Sequence, residues 1–397
     1  MQPYQHQIEG AEWAINTMRV HGLAYLAHKE RTGKTLTAIL TAEQSLAENI
    51  LVLTKKKAIA GWEETLAQFK HSKNYVVINY ESLHKVAKLD YGFIILDEAH
   101  HALSACPKPS ATWKRVAEVA KGKALLYLSA TPYAEHVGLL YHQLKLSSWS
   151  PFRSIRTFYD FHRQFGIPSM TRTPYGLVET YTKYNTAKVL AEVEHLFNFK
   201  TRQDVGIEHE PEAQLVYVDP HKETVAMVTK LQDDKLLKIG NDTLVCDSTM
   251  KLSMAHYQME CGTVKINDQK SIWLPHHEKL DYIKKNYDLK TTALMCHFIE
   301  ERAMYKALLP ELTVLSSDGD AEGVDLSHFK KLVISSMSFK TSKHTQRLAR
   351  QANHNRTTPI MVDVLVMGKP FIGAKVYNTV AVKMENFNSA SYNRIGA

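Results

Sequence analysis

The chain is predicted to be α/β, with two parallel sheets flanked by helices, and three observations carry this. Short, continuous apolar runs alternate with stretches of helical periodicity, the pattern of strands buried on both faces of a parallel sheet. The series occurs twice, separated by an aromatic-rich stretch. A length of 397 residues accommodates two domains with full cores, at about 100–200 residues each.

Taken in order, Ile8, Ala11, Ile15 and Met18 recur at helical spacing after Pro3. Strands are then expected at Leu23 to Ala27, Ile50 to Thr54, Tyr75 to Asn79, Phe93 to Leu96 and Ala124 to Leu128. From about Pro132 to Gly206 the pattern turns helical and carries Trp149, Phe152, Phe158, Tyr159, Phe161 and Phe165. These aromatics are expected to pack a helical interdomain layer rather than to stack bases. The second series starts near Ala213 and resumes at Ala293 to Phe298, Leu312 to Ser317, Lys331 to Met337 and Ile360 to Met367. Between its first two strands, Leu231 to Pro275 is polar with short strands and reads as an insertion. The expected division is 1–140, 141–206 and 207–397, and the polar tail from Asn386 is expected to fray.

Chemistry enters at the strand ends. RTGKT (Arg31 to Thr35) follows the first strand and DEAH (Asp97 to His100) follows the fourth. A glycine-containing loop that opens a helix aims backbone N–H groups and a helix dipole at phosphate. Arg31, Thr32 and Gly33 would form that loop, Lys34 would reach the β and γ phosphates, and the Thr35 hydroxyl would ligate Mg²⁺. Asp97 would hold the same Mg²⁺, commonly through water, and Glu98 would orient or deprotonate the attacking water. The pair in this order implies hydrolysis of a nucleoside triphosphate.

Composition narrows the partners. A net charge of +8 favours a polyanion, nucleic acid first among them. Cys106, Cys246, Cys261 and Cys296 form no C-x-x-C pair, which speaks against a zinc knuckle or a disulfide framework and for a reducing compartment. The histidines number 20; apart from His100 in DEAH they are expected to serve no ligand role. The first residues show no basic-then-apolar signal, and no apolar run reaches the roughly 18 residues that span a bilayer. A cytoplasmic protein, with no membrane partner, is expected.

The ordered segments resemble helicase superfamily two, and within it the Swi/Snf-like translocases, including compact phage versions. QPYQ (Gln2 to Gln5) resembles the adenine-reading Q motif; ILVLTKKKAIAGWEETL (Ile50 to Leu66) resembles motif Ia. INYESL (Ile78 to Leu83) is similar to motif Ib and LSATP (Leu128 to Pro132) to motif III. AEGVDLS (Ala321 to Ser327) resembles motif V, and QRLARQANHNRTTP (Gln346 to Pro359) motif VI. The resemblance implies two tandem RecA-like domains with ATP between them and Mg²⁺ as cofactor. It assigns adenine to Gln5, and it adds Gly323, Asp325 and Arg350 to the nucleotide site, with Gln346 placing water or phosphate. Double-stranded DNA would meet Lys55, Lys56, Lys57, Asn79, Tyr80, Ser316 and Ser317, with a protein partner for targeting.

The chain departs from the pattern twice. Arg31 stands where the family has a glycine, and Asn353 where it has a second arginine. Asparagine supplies no cation, so Arg350 alone, or Arg356 or Arg347, would provide it. The expected activity is therefore a DNA-stimulated ATPase that translocates on duplex DNA. An RNA helicase and a nucleic-acid-binding scaffold with weakened ATPase are the alternatives.

Overall fold

Six parallel strands order the first half of a computed structural model that describes residues 2–86, 90–173, 176–207, 209, 211–317, 326, 328–349 and 360–392. The chain divides into two compact units, residues 1–206 with 383–397, and residues 207–382.

In the first unit, β1 (Leu23–His28), β2 (Asn49–Thr54), β3 (Asn74–Asn79), β4 (Phe93–Asp97) and β5 (Ala124–Leu128) coincide with the expected strands. A short antiparallel pair follows, β6 (Met170–Thr173) and β7 (Gly176–Glu179), and then β8 (Phe197–Lys200), none of them foreseen. The sheet order is β3-β2-β4-β5-β1-β8. Every pairing in it is parallel. The strands read as unbroken apolar runs because helices cover both faces. Leu23, Tyr25, Leu51, Leu53, Ile94 and Leu96 point to one core; Ala24, Leu26, Ile50, Val52 and Ile95 point to the other. Each of the leucines, isoleucines and valines among them contributes about 1.5–3 kcal/mol on leaving water.

The first helix, Gln5–His21, ends because Gly22 adopts φ 69° and returns its N–H to the Met18 carbonyl. A Cβ there would stand 2.3 Å from Trp149, which packs flat on the turn, so glycine is required twice over. Four of the six expected aromatics pack a core, Phe152, Phe158, Phe161 and Phe165, buried together with Tyr141, whereas Trp149 and Tyr159 are exposed. They join the first unit, as does the end of the last helix, Gly373–Ser391. Met384, Phe387 and Tyr392 enter its core. The Tyr392 hydroxyl donates to the carbonyls of Ala27 and Ala130, at 3.0 Å each. Through residue 392 the tail is thus ordered by burial, contrary to the expectation of fraying from its polarity.

The second unit contains β9 (Pro211–Tyr217), β10 (Leu236–Ile239), β11 (Asp242–Val245), β12 (Thr263–Lys265), β13 (Ser271–Trp273), β14 (Thr292–Cys296), β15 (Thr313–Ser316), β16 (Lys331–Ile334) and β17 (Ile360–Val366). Its parallel sheet runs β15-β14-β16-β17-β9. The 231–275 segment folds as two hairpins, β10-β11 and β12-β13, around helix Thr249–Glu260. Far from being a surface appendage, that helix buries Tyr257, Met259 and Glu260. Glu260 accepts the backbone N–H groups of Met367 at 2.9 Å and Gly373 at 2.7 Å, and Lys279 pairs with it at 3.2 Å. Satisfied on both oxygens, the buried carboxylate pins the segment to the end of β17.

Candidate active site

The loop after β1 is built by contacts to the first helix. Gly33 has φ 80° and its carbonyl accepts from Gln7 Nε2 at 3.2 Å. Gln7 is buried, and its Oε1 accepts the Tyr4 N–H at 2.8 Å. A Cβ on Gly33 would lie 2.1 Å from Gln7 Nε2. His6 Nε2 stands 3.0 Å from the Thr32 carbonyl, and the buried Thr32 hydroxyl donates to the Lys29 carbonyl at 2.8 Å. Gln5, the expected adenine reader, is exposed and donates to Glu9 at 3.1 Å. The glutamine that reaches the loop is two positions further on, because one helical turn faces Gln7 inward and Gln5 outward.

Lys34 opens helix Lys34–Glu43, and its Nζ donates to the carbonyls of His28 at 2.7 Å and Lys29 at 2.9 Å. Burial lowers its pKa, and Glu98, Glu30 and Asp97 oppose that shift. The ammonium thus lies within electrostatic reach of Glu98, Glu30 and Asp97. Thr35 follows on the first turn of the same helix. Glu30 is fixed from the other side by Arg202, at 3.0 Å.

Asp97 ends β4. Its Oδ2 accepts from the Thr54 hydroxyl at 2.7 Å and from the Trp62 indole N–H at 2.9 Å. Its backbone carbonyl accepts from the Tyr80 hydroxyl at 2.8 Å. With both side-chain donors on Oδ2, no donor among the described residues reaches Oδ1, the oxygen suited to metal-bound water. Glu98 follows at φ 49°. Its Oε2 lies 3.4 Å from His100 Nδ1, and that nitrogen lies 2.7 Å from the Ser129 hydroxyl at the end of β5. Since β5 separates β4 from β1 in the sheet, one row of strand ends carries Lys34, Ser129 and Asp97.

Two non-glycine residues in this site, Arg31 at φ 68° and Glu98 at φ 49°, occupy left-handed backbone, at a cost of about 1–2 kcal/mol each. Arg31 thus keeps the conformation that a glycine would take there, and its side chain is exposed.

The expected nucleic-acid residues separate by burial. Lys56 and Lys57 are exposed on the turn after β2, with Lys55 half-buried. Asn79 is half-buried and donates to Glu81 at 2.8 Å. Tyr80 lies inside, only 2% exposed, with its hydroxyl on Asp97; it supports the acidic strand end and offers no surface to a nucleic acid. Ser316 ends β15 half-buried, whereas Ser317 is fully buried. Ser317 is enclosed because its carbonyl accepts from Arg347 Nε at 2.9 Å. Arg347 itself is fully buried and also donates to the Ser338 hydroxyl at 2.9 Å, which commits it to the interior of its unit. Gln346 lies on helix Thr341–Leu348, its side chain outside the described residues, as are Gly323, Asp325, Arg350, Asn353 and Arg356.

Three supporting residues escaped the sequence reading: Gln7, Thr54 and Trp62. Trp62 sits in the segment resembling motif Ia, but nothing in spacing says that its indole faces Asp97.

Residues 54–134 match the family model described as "Type III restriction enzyme, res subunit". No curated protein matches the chain significantly in sequence. Among solved structures, the chain is similar to the SWI2/SNF2 ATPase core domain of Sulfolobus solfataricus, with 15% identity, 99% of this chain and 93% of that chain covered, and a TM-score of 0.43. It is also similar to the ATP-dependent Type ISP restriction-modification enzyme LlaBIII bound to DNA, at 11% identity and a TM-score of 0.50, covering 98% of this chain and 30% of that chain. At 11% identity the likeness to LlaBIII is one of fold alone; the chain itself is mixed α/β, with two parallel sheets flanked by helices.

Proposed function

We propose that the chain is a nucleic-acid-dependent ATPase of the helicase or translocase type, acting on double-stranded DNA. The observation that carries this reading is the grouping of Lys34 with Asp97 and Glu98 on one row of strand ends, backed by Ser129 and His100. The match of residues 54–134 to a restriction-enzyme res-subunit model supports it.

In this reading Lys34 leaves the loop carbonyls of His28 and Lys29 for the β and γ phosphates of ATP, exchanging neutral acceptors for anionic ones. Thr35 and Asp97 would hold Mg²⁺, directly or through water, and the ion would supply charge stabilisation to the phosphoryl oxygens. Glu98 receives the proton of the attacking water, and its link through His100 to Ser129 ties its position to β5. Gln7 sets the loop, and the motif VI residues Gln346 and Arg350 supply the completing polar group and cation. Lys55, Lys56 and Lys57 meet the DNA backbone, where each phosphate contact adds to the salt dependence of binding.

The test is ATP turnover with and without duplex DNA, single-stranded DNA and RNA. Stimulation by duplex DNA, lost in Lys34→Ala, is expected. Turnover on none of them defeats the enzyme reading, and stimulation by RNA alone defeats the DNA one.

A further inference from the structure

In the second unit, His221, Glu223 and His276 each place a ligand atom within 4.8 Å of the other two. His276 Nε2 is 2.9 Å from Glu223 Oε2, and the His221 and His276 rings stack with centroids 3.6 Å apart. His221 caps helix Lys222–Asp234 through Nδ1, which accepts the Glu223 N–H over a long 3.3 Å. The backbone N–H of His221 donates to Glu278 Oε1 at 3.0 Å. The other oxygen of Glu278 is buried without a hydrogen-bond partner. Among the described residues, no lysine or arginine forms an ion pair with Glu223 or Glu278. Two imidazoles and one carboxylate thus converge, with no lysine or arginine among the described residues paired to that carboxylate.

We propose that His221, Glu223 and His276 form a site for a divalent transition-metal cation of the Zn²⁺ class, clasping the neck of the 231–275 segment. Imidazole nitrogen with one carboxylate suits zinc, whereas Mg²⁺ and Ca²⁺ favour all-oxygen shells. Ligands at about 2.0–2.2 Å from a tetrahedral ion stand roughly 3.3 Å apart, so the His276–Glu223 pair opens by a few tenths of an ångström. The proton between them leaves as the metal enters. His221 exchanges its weak cap bond for a coordinate bond, and water fills the fourth position.

The position gives the site a role. Glu223 precedes the segment and His276 follows it, 53 residues apart in the chain. A metal joining them closes that loop, which restricts the unfolded chain and stabilises the folded one. The side chains remain accessible, His276 at 31% and Glu223 at 70%, so a cation can enter from solvent.

The experiment titrates the 397-residue chain, stripped by chelation, with Zn²⁺ alone, in the absence of nucleotide and Mg²⁺. One equivalent binding at micromolar concentration is expected, with a rise in thermal midpoint and a tetrahedral Co²⁺ absorption spectrum lacking thiolate charge-transfer bands. His276→Asn and His221→Asn should each weaken binding at least about tenfold, the scale on which even a supporting partner of a metal ligand acts. Asparagine caps helices well, so His221→Asn keeps the metal-free fold, which circular dichroism checks. Binding no tighter than millimolar, binding unchanged in the double variant, or thiolate bands in the Co²⁺ spectrum would each overturn the proposal.

Discussion

The Trp62 indole N–H donates to Asp97 Oδ2 at 2.9 Å, so a residue from the helix after β2 orients the carboxylate at the end of β4. With Thr54 donating to the same oxygen at 2.7 Å, Oδ2 holds both side-chain donors and Oδ1 is left without one among the described residues. An unsaturated carboxylate would rotate, and each rotation costs alignment with the metal.

Replacing the donor while keeping an aromatic ring isolates this effect. Trp62→Phe should raise the Mg²⁺ concentration for half-maximal ATPase about tenfold, and lower stability by about 1.5–3 kcal/mol, the range for a hydrogen bond to a charged group. Thr54→Val should act in the same direction, with a double variant less than additive because both serve one oxygen. Mg²⁺ titrations of the steady-state rate make the comparison. Equal Mg²⁺ requirements in all variants would remove Trp62 from the positioning role.

Gln7 and Gln5 provide a paired test of the nucleotide loop. Gln7→Ala breaks the bond to the Gly33 carbonyl and leaves the Tyr4 N–H without its partner. It should weaken ATP binding about tenfold, equivalent to a single hydrogen bond of roughly 1.4 kcal/mol. Gln5→Ala should change it less than twofold, since that side chain bonds only Glu9 at the surface. Fluorescent-nucleotide titrations decide between them, and a larger effect at Gln5 would restore it as the adenine reader.

Arg347 is a structural cation. Fully buried and donating to Ser317 and Ser338, its removal leaves buried acceptors unmet. Arg347→Ala should therefore cost about 1–3 kcal/mol of stability for each buried acceptor left unmet, read by denaturant titration. Arg350→Ala should suppress ATP turnover at unchanged denaturation midpoint. If Arg347→Ala folds normally and abolishes turnover, the roles are reversed.

Acid should unfold the first unit through its buried histidines. Burial lowers the pKa of His28 to about 3 and those of His136 and His142 to about 4. The unfolded chain takes up protons near the ordinary histidine value of about 6.5 while the folded chain does not. Stability is thus full above that pH and falls as pH drops from about 6.5 toward 4, by up to about 1.4 kcal/mol per pH unit for each histidine. His28→Gln, which retains a donor for Asn198 Oδ1, should flatten the slope by one proton. Denaturation midpoints between pH 4.5 and pH 8 give the slope, and an unchanged slope would show that His28 is protonated in the fold.

The strands and the placement of RTGKT and DEAH at their ends were legible in the amino-acid order. Continuous apolar runs such as Ile50 to Leu53 and Phe93 to Leu96 are what burial on both faces demands, and that demand is local. β8 was less visible because Phe197–Lys200 is short and ends in a lysine, and it is an edge strand held by β1 alone. The 231–275 segment read as a polar insertion because the burial of Glu260 depends on the N–H groups of Met367 and Gly373, more than a hundred residues away.

By itself, then, the sequence determined two parallel sheets and the chemical character of one strand-end site, since both follow from periodicity and from residue types adjacent in the chain. Only the tertiary structure decided which glutamine meets Gly33, which donors orient Asp97, that Tyr80, Ser317 and Arg347 face inward, and that His221, Glu223 and His276 converge. Those outcomes depend on side-chain direction and on contacts between residues far apart in sequence, where a single turn of helix or one strand pairing moves a functional group from solvent to core.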